Sequence, residues 1–238
     1  CSMLNKMPGY LDDKFANLKA GYTFMFGHPG KKLLFMGQDF GQLHEWDEKV
    51  SLDWYLTEED LHSDLQSYVR DLLHIYQKYP ALYESDDDWD GFQWINANDG
   101  DRSIFSFVRY AKNKRKSLLF VCNFVPVAHE KFRVGVPFAG KYKEILNSDS
   151  VKFGGTGATN PRVKASKKEE WDAREHSISI TLPPLGICVF QCTPVKEEPK
   201  KETGKKAAGK KETAGAARKR TAGEKPAAAK KPSRTRTY

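Results

Sequence analysis

Residues 28–42 read HPGKKLLFMGQDFGQ, and this stretch decides the fold class of the first part of the chain. Pro29 and Gly30 break any helix, and residues 32–36 then form a short continuous apolar run. Such a run, buried on both faces, is typical of a parallel strand. The loop of small and polar residues that follows is where α/β folds place ligand sites. The stretch therefore predicts a buried parallel strand with a functional loop at its carboxyl end.

Amphipathic helices are predicted on both sides of this strand. Over residues 11–25 the apolar side chains recur at steps of three and four, which places them on one helical face. Residues 61–79 show the same pattern, after a possible capping box at residues 57–60 and before the helix-breaking Pro80. Helix, strand, loop and helix form the repeating unit of an α/β barrel. The pattern therefore predicts about one and a half such units in this part of the chain.

The pattern changes after an acidic connector at residues 83–88. Short alternating or apolar segments follow, separated by clusters of Asn, Asp, Gly and Pro. Seven strands are predicted, at residues 92–95, 103–110, 117–124, 132–136, 142–146, 177–182 and 187–191. The sequence Asn98-Asp99-Gly100 predicts a hairpin turn in which Gly100 supplies the positive φ. Residues 85–194 are therefore predicted to be an antiparallel all-β sandwich, with a core of its own that makes it independently stable.

The charge of the chain is concentrated at its end. Residues 195–238 hold 15 Lys/Arg and 5 Glu, a net charge of +10, while the other residues hold 24 basic and 26 acidic side chains, a net of −2. This Lys/Ala-rich segment has a single aromatic residue, so it cannot bury enough surface to offset the entropy of ordering. We predict a disordered basic tail. Two functions stay open for it, non-specific binding of polyanions by counterion release and a solubilising extension.

A series of motifs gives a more specific indication. They lie, in order, at residues 2–9, 28–37, 41–46, 51–54, 105–109, 123–127, 146–149 and 182–185. In sequence and spacing they resemble the C-terminal region of bacterial 1,4-α-glucan (glycogen) branching enzymes, members of the α-amylase superfamily, over roughly residues 1–193. The resemblance implies α/β plus all-β architecture, with residues 1–84 as the C-terminal end of the catalytic (β/α)8 barrel and residues 85–194 as the α-amylase-type C-terminal all-β domain.

The resemblance also implies an activity. Branching enzymes are hexosyltransferases that transfer an α-1,4-glucan segment to a 6-hydroxyl by retaining double displacement, which forms the α-1,6 branches of glycogen. The implied partner is an α-1,4-glucan such as glycogen or amylose. In the family the catalytic Asp, Glu and Asp precede the motif at residues 2–9, so no catalytic residue is expected here, and the chain alone is expected to be inactive.

Three residues of the loop after the predicted strand are candidates for the substrate-binding or active-site loop: Asp39, Gln42 and Trp46. The family usually has Glu where this chain has Asp39, whose carboxylate either orients the loop or makes an ordinary turn hydrogen bond. Trp46 either stacks on a glucose ring or belongs to the core, whereas Trp54 is expected in the core.

Other features predict no further chemistry. His28, His44, His62 and His74 lack ligand spacing, so we expect structural roles and neither a metal nor a cofactor. Residues 154–157 resemble a phosphate loop only superficially and are expected to form a flexible loop. The four cysteines are too scattered for a disulfide framework and are expected to be reduced and mostly buried.

The surroundings of the chain are predicted from what its sequence lacks. No run approaches the roughly 18 apolar residues of a membrane helix, and the first residues do not resemble a signal peptide, so a cytoplasmic location without membrane contact is expected. Two alternative functions stay open beside the branching enzyme. One is another glycoside hydrolase of the α-amylase superfamily, and the other is a non-catalytic binding module with a polyanion-binding tail.

Overall fold

Two long helices form one layer of the computed structural model, which describes residues 1–195. A short helix, α1 (Met3–Lys6), precedes α2 (Leu11–Gly27), and α3 (Asp60–Lys78) follows. Both long helices are confirmed, with ends within two residues of the predicted ones. The faces predicted to be apolar are largely the buried ones, although Leu11 at the start of α2 is half exposed.

The start of α3 differs from the prediction. The helix begins after Glu59, which makes no capping hydrogen bond with its side chain. Thr57, the predicted cap, lies instead in a 3-10 helix at Trp54–Glu58, and its hydroxyl donates to the Trp54 carbonyl at 2.7 Å. The capping-box prediction is therefore wrong, because the hydroxyl is already used by the preceding turn. Pro80 does follow the helix end, as predicted.

The apolar run at residues 32–36 is not a strand among the described residues. Three of its side chains are well exposed: Leu33 by 72%, Met36 by 51% and Phe35 by 40%. The prediction of a buried parallel strand is therefore wrong for this chain. The physical reason is that a parallel strand needs neighbours for its backbone N–H and C=O groups, and the strands of the described residues all belong to the segment after residue 91.

All seven predicted strands are confirmed, and an eighth very short strand joins them. The strands are β1 (Phe92–Asp99), β2 (Ile104–Arg109), β3 (Leu118–Asn123), β4 (His129–Val136), β5 (Gly140–Asn147), β6 (Lys164–Ala165), β7 (His176–Leu182) and β8 (Gly186–Pro194). The hairpin between β1 and β2 is also confirmed, but its positive φ belongs to Ser103, at 50°, and not to Gly100.

The strands form two antiparallel sheets. One has six strands in the order β1-β2-β3-β8-β5-β6, and the other is the pair β4-β7. Alternation along β3 shows how the large sheet is used: Leu119 and Val121 face the small sheet, while Leu118 and Phe120 face the helices. The described chain is therefore layered, with the helices on one face of the large sheet and the small sheet on the other.

The approach of α2 to the large sheet is close. A Cβ atom added at Gly27 would lie 2.8 Å from Phe107 Cζ and 2.9 Å from Phe120 Cε1. The rings of Phe107 and Phe120 are themselves stacked, with centroids 4.8 Å apart. Glycine is therefore required where the helix ends on the sheet.

Several predictions concern the chain outside these layers. The predicted basic tail at residues 195–238 lies outside the described residues, apart from Val195. In the described part, no helix is long and apolar enough to cross a membrane. Cys122, Cys188 and Cys192 are free and buried, and Cys1 is free and exposed, so the expectation that most of the thiols are buried is confirmed.

Candidate functional site

The candidate loop at residues 37–46 is built by tight turns. The backbone N–H of Gln42 donates to the Gly37 carbonyl at 2.9 Å, and Gly37 and Gly41 have φ values of 73° and 72°. A Cβ atom at Gly41 would lie 3.0 Å from Leu65 Cδ2 and 3.2 Å from Phe15 Cε1. The two glycines therefore let the loop fold back onto the helices, which a larger residue at either position would prevent.

Gln42 is a buried brace of this loop. Its side chain is engaged at both ends: Nε2 donates to the His44 carbonyl at 3.3 Å, and Oε1 accepts from the Asp53 backbone N–H at 3.1 Å. Only 6% of the residue is exposed. Gln42 therefore ties the first part of the loop to the segment that precedes α3.

Trp46 lies at the rim of a pocket that contains the loop. Its ring is 42% exposed and packs edge-on against Phe35, with centroids 5.1 Å apart. The pocket has a volume of about 110 Å³, and Gln42 and Tyr22 also line it. The Tyr22 hydroxyl donates to the Gln38 carbonyl at 2.8 Å. The structure thus brings two of the three predicted site residues to one cavity, and one of them is an indole, whose ring face suits the apolar face of a sugar.

Asp39 lies in a neighbouring cavity. Its Oδ2 atom is 3.5 Å from Gln66 Nε2 on α3, and the surrounding cavity also includes Lys32 and Leu73. Phe35, Met36 and Gly37 line both cavities and separate them. Burial and the nearby Asp39 carboxylate raise the pKa of Tyr22 well above its usual range. Asp39 is therefore close to the loop pocket but does not line it, and its role in catalysis stays a prediction.

The other tryptophan of this region is placed differently from its prediction. Trp54 is 55% exposed, and its ring lies against Phe40 with centroids 5.2 Å apart. The prediction that Trp54 belongs to the core is therefore wrong. Phe40, which is fully buried, occupies the core position beneath it.

The histidines make local contacts. His28 lies among Phe24, Phe92, Trp94 and Phe107, and its Nδ1 atom is 2.9 Å from the Phe24 carbonyl oxygen. His62 Nδ1 lies 2.7 Å from the Phe40 carbonyl, and His44 Nδ1 lies 2.8 Å from Asp53 Oδ2. Among the described residues, no cluster of three or more His, Cys, Asp or Glu side chains has a metal-binding arrangement.

The glycine-rich segment at residues 154–157 is organised around Asp149. The Asp149 carboxylate accepts from the backbone N–H and hydroxyl of Thr156, at 2.9 and 2.6 Å, and from the Ala158 N–H at 3.1 Å. The Asp149 carbonyl accepts from the Gly157 N–H at 2.9 Å. The expected flexible loop is therefore tethered at four points.

The part of the chain that forms the sheets is similar to a known domain. Residues 94–193 match the model of the alpha amylase C-terminal all-beta domain. Among solved structures, Ttha1563 from Thermus thermophilus matches with a TM-score of 0.55 at 18% identity, covering 80% of this chain and 33% of that chain. A type I pullulanase from Bacillus subtilis matches with a TM-score of 0.52 at 11% identity, covering 78% and 24%. At these identities the structures show a shared fold.

Curated relatives match over a longer range. A 1,4-alpha-glucan branching enzyme from Butyrivibrio fibrisolvens is 55% identical over 190 residues, which are 80% of this chain and 30% of that protein. The branching enzyme of Halothermothrix orenii is 46% identical over 190 residues, with the same coverage. The chain thus spans about 30% of the length of these relatives. Over four fifths of its length the chain is therefore similar to the 1,4-alpha-glucan branching enzymes, and residues 94–193 match the alpha amylase C-terminal all-beta domain.

Proposed function

We propose that the chain works as the C-terminal part of a 1,4-α-glucan branching enzyme, a hexosyltransferase of glycogen biosynthesis. The observation that carries the proposal is the 55% identity over 190 residues to a curated branching enzyme. In the proposed reaction, an α-1,4-glucan segment moves to a 6-hydroxyl by retaining double displacement. The nucleophile and the acid come from the portion of the relatives that this chain does not cover.

In this proposal residues 1–84 are the end of the (β/α)8 barrel. The apolar run at residues 32–36 has no strand partner among the described residues, and Leu33 and Leu34 donate no backbone hydrogen bond there. Buried apolar side chains and paired backbone groups are what a strand gains from neighbours. The run thus becomes the last barrel strand when the rest of the enzyme is present.

The loop then takes part in glucan binding. Trp46 and Phe35 both line the pocket with their rings nearly perpendicular to each other, and the face of an aromatic ring suits the apolar C–H face of a glucose ring. Gln42 holds the loop shape through its two hydrogen bonds. Asp39, one cavity away, orients the loop from the side of α3. Trp46 therefore contacts substrate, and the other two act as positioning residues.

A chimaera tests the proposal. Residues 1–195 replace the matching portion of the Butyrivibrio fibrisolvens enzyme, and branching is followed by the loss of iodine absorbance of amylose. We expect the chimaera to branch amylose and the isolated chain to leave it unchanged. A chimaera that is folded but inactive would refute the proposal. Branching by the isolated chain would show that the nucleophile and the acid lie within these residues.

A variant of the chimaera tests the loop. We expect Trp46→Ala to lower kcat/KM about three- to tenfold, because a lost ring contact is worth about 0.5–1.5 kcal/mol. Trp89→Ala is the matched control, since Trp89 is 96% exposed and lies directly after the acidic connector, away from the loop pocket. Equal effects of the two substitutions would contradict the role of Trp46.

The same assay separates the branching enzyme from a hydrolase of the same superfamily. Transfer to a 6-hydroxyl conserves the number of reducing ends, whereas hydrolysis adds one reducing end for each bond that is broken. An increase in reducing sugar that parallels the loss of iodine absorbance would favour the hydrolase.

For the tail we propose non-specific binding of polyanions, supported by its net charge of +10. Deletion of residues 196–238 removes all of that charge, so we expect it to abolish retention on heparin at low salt. Retention that survives the deletion would place the polyanion site on the folded part. We also propose a cytoplasmic location, because glycogen is made there.

A further inference from the structure

A third cavity lies on the side of the molecule where α2 and α3 meet the sheet ends. It has a volume of about 190 Å³, and its helical wall comes from the first half of α2 and from Leu61 on α3. The opposite wall comes from three turns, which follow β3 at Pro126, β5 at Asp149 and β7 at Pro184. None of the three predicted site residues lines this cavity.

These three turns carry motifs that the proposed loop site does not use. Residues 123–127, 146–149 and 182–185 are among the stretches that resemble branching enzymes, and the fold brings all three to the same cavity. Buried hydrogen bonds fix their positions. Asn123 Nδ2 donates to the carbonyls of Val127 and Pro183, at 2.7 and 2.8 Å. The wall is therefore rigid before any ligand arrives, which reduces the entropy lost on binding.

The cavity combines a buried amine with carboxylates. Lys19 is only 5% exposed, and its Nζ atom donates to the Phe153 carbonyl at 2.6 Å. An ammonium group has three N–H donors, so two remain beyond this bond. Burial lowers the pKa of Lys19, and the nearby carboxylates of Asp149 and Asp64 oppose that effect. Asp12 and Asp13, in the first turn of α2, add acceptors at the cavity edge.

The character of the walls selects the kind of ligand. Three carboxylates and one ammonium group line the cavity, so an anion is repelled. Phe15, Leu61 and Pro126 supply apolar surface beside these polar groups. A neutral ring with hydroxyl groups on its edge and an apolar C–H face matches both features. The volume is below the about 300–1,000 Å³ of pockets for drug-sized ligands, and therefore suits a single ring.

We propose that this cavity is an accessory glucan site that holds one glucosyl unit of an α-glucan chain, apart from the loop at residues 37–46. The hydroxyls of the glucosyl unit donate to the carboxylates at the cavity edge and accept from Lys19, while the C–H face of the sugar ring lies on the apolar wall. The identification of the ring as glucose rests on the proposed function.

A pair of substitutions on one helix tests the proposal in the full 238-residue chain. Ala16 lines the cavity, so Ala16→Leu fills part of it with a good helix former. Gly21→Leu is the matched control, because a Cβ atom at exposed Gly21 meets nothing within 4 Å. Asp12→Asn is a second probe, since it removes one charged acceptor without adding volume. Binding of maltoheptaose is measured by titration calorimetry, with inorganic phosphate as the anionic probe.

We expect Ala16→Leu to weaken maltoheptaose binding at least about tenfold, Asp12→Asn several-fold, and Gly21→Leu less than about twofold. Neither Ala16→Leu nor Asp12→Asn is expected to change the response to phosphate, because the basic tail is present in every variant and the cavity repels anions; a phosphate signal lost in Ala16→Leu would contradict a site for a neutral ring. The proposal is overturned if the unmodified chain does not bind maltoheptaose, or if Ala16→Leu binds it as well as the unmodified chain. Because branching by the chimaera is measured separately, an active chimaera with unchanged binding in Ala16→Leu would remove the accessory site and leave the proposed function in place.

Discussion

Arg109 connects three parts of the chain with one side chain. It is fully buried, and its guanidinium donates to the Gly91 carbonyl at 3.2 Å, to the Gly27 carbonyl at 3.0 Å and to Asp86 Oδ1 at 2.5 Å. These partners belong to the end of α2, the acidic connector and the turn before β1. The planar, permanently charged guanidinium is suited to this because its donors point in fixed and different directions. Arg109 therefore joins the helical layer to the edge of the large sheet.

Replacement of Arg109 tests this connection. We expect Arg109→Met to lower the free energy of unfolding by roughly 3–5 kcal/mol, because it leaves the Asp86 carboxylate buried and unpaired. Arg133→Met is the control: Arg133 pairs with Glu169, and both side chains are about 40% exposed, so a loss within about 1 kcal/mol is expected. Urea denaturation measures both. Similar losses in the two variants would mean that the buried pair contributes no more than an exposed one.

His28 gives the fold a pH dependence. Burial among aromatic rings lowers its pKa below the ordinary 6.5, Lys32 and Arg109 lower it further, and only the Phe24 carbonyl opposes them. The unfolded chain therefore binds a proton at a higher pH than the folded chain does. Above pH 6.5 the imidazole is neutral in both states, so His28 has no effect on the free energy of unfolding. By linkage, the free energy of unfolding decreases as the pH falls below 6.5 toward the folded-state pKa.

A substitution isolates this contribution. We expect His28→Phe to reduce the loss of stability between about pH 7.5 and about pH 5, since a phenyl ring keeps the aromatic contacts and cannot be protonated. The urea midpoint at the two pH values gives the comparison. His74→Phe, on α3, is the control for an imidazole that has no such aromatic surroundings among the described contacts. An unchanged pH dependence in His28→Phe would assign the effect to other groups.

At the scale of elements, the sequence predicts strands correctly where their partner strands lie within the described residues, even when the partners are far apart in the chain. The alternation in β2, β3 and β8 reports two different buried faces, and the strands lie where the pattern places them. The run at residues 32–36 is as apolar as a strand, yet it is exposed, because its pairing depends on strands that the described residues do not provide. Apolar character alone indicates that a segment needs a partner, but does not say where the partner comes from.

The two glycines of α2 should respond in opposite ways to an added methyl group, and the sequence pattern does not distinguish them. We expect Gly27→Ala to lower the free energy of unfolding by about 1–3 kcal/mol, because the added methyl group overlaps the rings of Phe107 and Phe120. Gly21→Ala should raise it by about 0.5–1 kcal/mol, since Gly21 lies in open space in a helix interior. Thermal unfolding measures the two shifts. Stabilisation by both substitutions would show that α2 does not end in close contact with the sheet.

At the scale of the whole molecule, the candidate site was only partly predictable. The loop signal led to Gln42 and Trp46, which share a pocket, but Asp39 lies on the other side of Phe35. The cavity near Lys19 was not predicted, because its residues come from five separate segments whose convergence depends on the sheet order. In the sequence, Lys19 is one of two lysines on an amphipathic helix, and nothing in the local pattern marks it as buried.

The layering also changes the expectation that the sandwich is stable by itself. Phe107, Leu118, Phe120 and Val189 belong to the cluster that packs against α2 and α3, so removal of the helices uncovers the whole of that sheet face. An exposed apolar surface of this size favours association and lowers stability. A protein of residues 85–195 is therefore expected to unfold at a lower urea concentration than the full chain and to bind a hydrophobic dye such as ANS.

Limited proteolysis of the full chain provides the complementary measurement. We expect α2 and α3 to resist cleavage as long as the strands do, because their buried faces are part of the same core. Deletion of residues 196–238 is the control for loss of length alone, and it should leave both the urea midpoint and dye binding unchanged. A contrary result would be that residues 85–195 remain monomeric, bind no dye and unfold at the urea midpoint of the full chain. The helices would then not contribute to the stability of the sheet, although the sheet would still stabilise the helices.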